Sequence, residues 1–135
     1  MTVQLLSPPG LAEATPYHHV AVGSGSRHVH VAGQVGGHAD GSPLAPNLAD
    51  QVAQALRNTG RALDGAGATF TDVVRLTLYV ARWTPDRMDE LMDGVQRVAK
   101  ELRLPLPLPP ASLIGVEVLY APDVLVEIEA TAIID

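Results

Sequence analysis

Asn47 to Val80 reads NLADQVAQALRNTGRALDGAGATFTDVVRLTLYV, and the spacing of its apolar residues changes partway along. Leu48, Val52, Ala55, Leu56, Thr59, Ala62 and Leu63 recur at the interval of a helix with one buried face. Asn47 stands where a helix takes its side-chain cap, and Asp50 lies near the positive helix end. Gly65-Ala66-Gly67 stops the helix. Val73 to Val80 then reads as a strand. A one-sided helix followed by an apolar strand calls for helices layered on a sheet.

Working outward, Tyr17 to Val22 alternates, meets Gly23-Ser24-Gly25-Ser26, and is followed by a second alternating run from Arg27 to Val31 that ends at Ala32-Gly33-Gln34. Two short runs around a Gly/Ser turn predict a hairpin. The segment before it, with Ser7, Pro8, Pro9 and Gly10, and the stretch Gly36 to Pro46 read as irregular by composition. On the other side, Thr84, Pro85 and Asp86 open a second helix with the stripe Met88, Leu91, Met92, Val95, Val98, Ala99 and Leu102. Leu104 to Pro110 holds four prolines and reads as an extended connector. Ala111 to Leu119 and Leu125 to Ile133 form the last two strands, around Tyr120-Ala121-Pro122-Asp123. The expected order is ββαβαββ: one domain over residues 1–135, α+β, with two helices on one face of the sheet. The opposite face keeps apolar groups in the last two strands, which predicts self-association.

Composition narrows the function classes. The chain has 135 residues, 47% hydrophobic and 18% charged, with nine Lys+Arg against fifteen Asp+Glu and a formal charge of −6. That balance, with Lys100 the only lysine and no basic run, disfavours binding to a phosphate backbone. The absence of cysteine excludes disulfides, thiolate nucleophiles and Cys-based metal sites. No apolar stretch reaches the roughly 18 residues of a membrane span. Met1 to Gly10 lacks the pattern of a secretory signal. The expectation is a cytoplasmic protein with no membrane or nucleic-acid partner.

Two side-chain groups invite a chemical reading. In a hairpin with its turn at residues 23–26, His19 pairs with His30, and His19, His28 and His30 share a face, opposite Val20, Val22, Val29 and Val31. Three close imidazoles bind metals or move protons. A polar strand face lining a wet interface is the plainer account, and with no supporting carboxylate spacing no metal is assigned. Glu127 and Glu129 share a strand face, opposite Val126, Ile128 and Ala130. A partly desolvated carboxylate suits general acid/base work, whereas two solvated edge glutamates are the plainer alternative. Ser112 lacks a nucleophile-elbow context, and Gly23, Gly25 and Gly33 form no phosphate-binding fingerprint, so no cofactor is expected. Trp83 and Tyr79 read as packing aromatics.

Several segments taken together resemble a known family. Pro16-Tyr17, Val31-Ala32-Gly33-Gln34, Asp50-Gln51 through Asn58, Ala66-Gly67-Ala68 with Asp72-Val73-Val74, and Pro110-Ala111 followed by Val126-Glu127-Ile128-Glu129-Ala130 are similar to the RidA family, also called YjgF or the L-PSP "endoribonuclease" family. The likeness runs from Tyr17 to Ile133. It implies a chorismate-mutase-like subunit in a homotrimer, with sheets lining a central barrel, helices outside and small-molecule pockets at the subunit interfaces. Well-characterised members hydrolyse enamines and imines derived from amino acids. In them a strand arginine pairs with the substrate carboxylate, a glutamate handles water, and an N-terminal tyrosine shapes the pocket.

Carried over on that resemblance, Tyr17 and Glu127 take the catalytic positions, and Ala32, Gly33, Ser112 and Ile114 line the substrate. The chain departs from the family at the arginine position, which is Ser112, and at the pocket serine, which is Ala32. Ile114 replaces a small polar residue or cysteine, and Glu90 falls near a common asparagine. Losing the arginine removes a charge-assisted contact of about 1.5–3 kcal/mol with a carboxylate. Arg27, Arg75 and Arg82 are the candidates to replace it from another strand or subunit. Three readings follow: hydrolysis of an imine, enamine or related metabolite without the arginine; a non-catalytic trimer binding a metabolite or protein; and, against the charge, action on RNA.

Overall fold

The computed structural model describes residues 3–135. Its elements are β1 (Val3–Leu6), β2 (Val20–Gly23), β3 (Arg27–Val35), α1 (Leu48–Gly65), β4 (Val73–Ala81), α2 (Met88–Leu102), β5 (Ala111–Val116) and β6 (Val126–Ile134). The two helices and the last four strands fall where the apolar spacing puts them. Asn47 caps α1 by accepting from the Asp50 N–H at 2.9 Å, as its position predicts. Pro85–Arg87 form one 3₁₀ turn leading into α2.

Pairing differs from the expected hairpin. β2 is antiparallel to β1, with Val3 opposite Gly23 and Leu6 opposite Val20, so Val3–Leu6 is a strand that the sequence reading did not reveal. β3 instead pairs antiparallel with β6, and the main sheet runs β3-β6-β4-β5, with β4 and β5 parallel. β6 offers β3 a nine-residue partner of matching alternation, a longer ladder than the short hairpin provides. The three-imidazole face is lost with the hairpin. His28 and His30 stack at 6.2 Å on β3, while His19 lies apart, against Tyr17 and the Ala12 carbonyl.

Alternation then sorts the side chains. Val126, Ile128, Ala130 and Ala132 of β6, with Leu76, Leu78 and Val80 of β4, are buried beneath the helices. Leu48, Val52 and Leu56 of α1 and Leu91, Val95 and Val98 of α2 close that core. The helices meet at Gly94, where a Cβ would stand 2.5 Å from the Ala49 carbonyl oxygen and 2.7 Å from Val52 Cβ. Glycine is the residue that admits so close a crossing. Glu90 of α2 reaches across to accept the Leu48 N–H at 3.1 Å, so it caps the neighbouring helix. Among the described residues no helix is long and apolar enough to cross a membrane.

Candidate functional site

The sheet face away from the helices carries the chemistry. Arg75, Thr77 and Tyr79 of β4, Ser112 and Ile114 of β5, Glu127, Glu129 and Thr131 of β6, and His28, His30 and Ala32 of β3 alternate with the buried set. Cross-strand register arranges them in rows. Thr77 is opposite both Ser112 and Glu129, and Tyr79 is opposite both Ile114 and Glu127.

The Ala32–Gly33 pair falls where the β3–β6 register shifts between Val31 and Gln34, a bulge in the strand. The Glu127 side chain lies over that bulge: a Cβ on Gly33 would sit 2.0 Å from its Oε2 and 2.8 Å from its Cγ. Gly33 is thus a seat for the glutamate, and alanine there would displace the carboxylate. Two buried or half-buried amides hold the surrounding loops. Gln51 is 1% exposed; its Nε2 donates to the Ala45 and Asp123 carbonyls and its Oε1 accepts the Leu125 N–H, each at 2.8 Å. Asn58 donates to the carbonyls of Val35 and Gly37 at 2.9 and 2.8 Å. One amide therefore fixes the chain just before Glu127 and the other the chain just after Gly33.

Tyr17 is positioned differently. Leu108 N–H donates to the Pro16 carbonyl and His18 N–H to the Leu108 carbonyl, which lays this segment beside the Pro-rich connector. There Tyr17 and Ser112 line one cleft of about 80 Å³, with Leu78, Met88 and Leu113 among its walls. Ile114, 43% exposed, stands on the open face. The six residues assigned from the sequence therefore form two groups. Gly33 and Glu127 touch at the β3–β6 side, with Ala32 on the same bulge, whereas Tyr17 and Ser112 share the β5 edge. Gly33 lines a different hollow from the cleft of Tyr17 and Ser112.

Tyr79 escaped the sequence reading as a participant, and the structure separates the three candidate arginines. Tyr79 donates its O–H to Glu129 Oε1 at 2.7 Å. That hydrogen bond, partial burial, and the negative charges of Glu129 and Glu127 hold the phenol above its ordinary value of 10.0, so it stays a donor at neutral pH. Arg75 Nη2 donates to Ser112 Oγ at 2.5 Å, which puts a guanidinium against the serine. Of the three arginines considered, Arg27 instead binds the Asp135 oxygen, and Arg82 stands at a left-handed backbone position beyond the end of β4. The signal for Tyr79 was the polar alternation Arg75, Thr77, Tyr79 within a strand otherwise read as apolar.

Known proteins share this architecture. A rat 2-iminobutanoate/2-iminopropanoate deaminase is 39% identical over 56 residues, and that match spans 41% of this chain and 41% of the relative. The crystal structure of a Yersinia pestis protein of unknown function from the conserved Rid family, YyfB, superposes with a TM-score of 0.86 at 34% identity, covering 99% of this chain and 100% of that one. Rv2704 of Mycobacterium tuberculosis, a member of the YjgF/YER057c/UK114 family, gives 0.62 at 31% identity, over 98% and 100% of the two chains. Residues 9–134 match the endoribonuclease L-PSP family, nearly the whole chain, and the chain belongs to this Rid/YjgF family.

Proposed function

We propose that the chain is an imine- or enamine-hydrolysing enzyme that works as a homotrimer, with sheets around a central barrel and small-molecule pockets between subunits. The observation that carries the reading is the Glu127 carboxylate seated on Gly33, at the head of a strand whose approach is held by the buried Gln51 amide. Its partial match to a deaminase of 2-imino acids gives the reaction type. Tyr17 and Ser112 stand at the other side of the sheet, so a pocket using both groups is completed by a neighbouring copy. The exposed apolar side chains Val22, Ile114 and Val118 are the surface such an assembly would cover.

In the reaction, Glu127 takes a proton from water as the oxygen adds to the C=N carbon. That proton passes to nitrogen to give the carbinolamine; Glu127 then takes the carbinolamine hydroxyl proton and delivers it to the nitrogen as the C=O forms and the C–N bond breaks, so ammonia leaves with a carbonyl product. Tyr17 lines the pocket, and Ser112, Ala32 and Ile114 shape its substrate end. No cofactor is needed for this sequence of proton transfers. RNA cleavage, which the family description mentions, runs against the charge of −6 and the glutamates on the open face.

The test is imine loss. An amino-acid oxidase generates imines from several amino acids, and semicarbazide traps what remains when the protein is added. Faster loss of trapped imine supports the reading. No acceleration by the parent or by Ser112→Arg leaves a non-catalytic, metabolite-binding trimer as the better account. Light scattering is expected to give about three times the 14.2 kDa chain mass. A monomer would sink the shared-pocket arrangement.

A further inference from the structure

The open sheet face holds a cation and an anion that are near neighbours and not partners. Arg75 and Glu129 lie diagonally across the β4–β6 ladder, close enough for long side chains to pair. Each is drawn elsewhere. Arg75 leans towards β5 and donates to Ser112, while Glu129 accepts from Tyr79. Among the described residues no carboxylate comes within 4.0 Å of the Arg75 guanidinium. Ser112 uses one of its five N–H groups, so most of the donor fork is left for another acceptor. Between the two charges Thr77 forms the floor of a hollow of about 240 Å³, which His30 and Thr131 also line.

We infer that Arg75, braced by Ser112, binds the carboxylate of a small α-amino- or α-imino-acid-like substrate, and that the Tyr79-held Glu129 receives its cationic nitrogen. The inference rests on the proposed hydrolysis for its chemistry and names the substrate class. Geometry and charge both select that class. A planar guanidinium with a free edge matches a carboxylate in two parallel hydrogen bonds. A doubly charged phosphate would meet the repulsion of Glu129 and Glu127, whereas a ligand with its own positive nitrogen turns Glu129 into an attraction. The hollow's size suits a molecule of a few carbons. Ser112 thus has a constructive role: a short hydroxyl on β5 leaves room for a guanidinium from β4 and steers it by a hydrogen bond.

Calorimetric titration of the intact protein with three stable probes tests this. They are L-2-aminobutanoate, which has both charges; butanoate, which lacks the nitrogen; and propylamine, which lacks the carboxylate. The expected order of affinity is aminobutanoate, then butanoate, then propylamine. Arg75→Gln should weaken both carboxylates about ten- to a hundredfold and leave propylamine unchanged. Glu129→Gln should weaken the two nitrogen-bearing probes and spare butanoate. Arg75→Lys, which keeps the charge without the fork, should fall between. Arg75 is exposed, so these variants are expected to fold, and their thermal melts check it. Parent-like aminobutanoate affinity in Arg75→Gln, or no binding of any probe by the parent, overturns the proposal. Binding that follows this pattern without imine turnover would sink the hydrolysis instead. Turnover with an unchanged KM in Arg75→Gln would sink the Arg75 assignment alone.

Discussion

Glutamine in place of Glu127 is expected to lower imine turnover by about 10²- to 10⁴-fold, the usual contribution of a positioned general base. The amide keeps the shape of the side chain and its seat on Gly33, so affinity for a non-reacting ligand should change far less than kcat. Thermal stability should stay close to that of the parent, because the residue is half-buried and, among the described residues, has no hydrogen-bond or ion-pair partner whose loss would leave an orphaned group. Semicarbazide-trap rates for parent and variant provide the comparison. Parent-like turnover in Glu127→Gln would remove this residue from the mechanism and point to Glu129, two residues along the same face.

The largest effect on stability is expected at Gln51. Leucine there fits the volume but leaves the Leu125 N–H and the carbonyls of Ala45 and Asp123 unpaired in a site 1% exposed to solvent. At about 1 kcal/mol or more for each stranded group, the cost is roughly 3 kcal/mol. For a chain of this length, that lowers Tm by about 10 °C. The change also frees the segment just before β6, so Glu127 should lose its fixed position together with the loop. A melt within a degree or two of the parent's would show that water or a local shift satisfies those groups instead.

Much of this was legible in the sequence because the signals are local. The cap at Asn47, the stop at Gly65-Ala66-Gly67 and the helical stripe from Met88 to Leu102 depend on neighbours a few residues apart. The strands of β4, β5 and β6 showed for the same reason. Pairing is a different matter, since Val20–Gly23 had a nearby Gly/Ser turn and an alternating sequence beyond it, yet its partner is Val3–Leu6. Competition among ladders is decided by the whole sheet. The candidate site divides along the same line. Glu127 and Gly33 were found through family resemblance, but the seating of one on the other required the bulge in β3. Arg27, Arg75 and Arg82 were all open as replacements for the arginine lost at Ser112, and only the β4–β5 pairing, which joins residues 37 apart in sequence, puts the Arg75 guanidinium on that serine. Glu90, which fell near a common asparagine of the family, caps the neighbouring helix, a contact between residues 42 apart that no local pattern announces.

The helix crossing at Gly94 also constrains how such a chain can change over generations. A side chain at that position meets a backbone oxygen of Ala49 as well as Val52, so shrinking residue 52 relieves only part of the clash. The two positions are therefore not free to trade volume in a pair of compensating mutations. Lineages that keep this helix spacing should hold glycine at 94 while residue 52 drifts among small aliphatics. Lineages that lose the glycine should show the helices farther apart, with larger residues filling the widened seam.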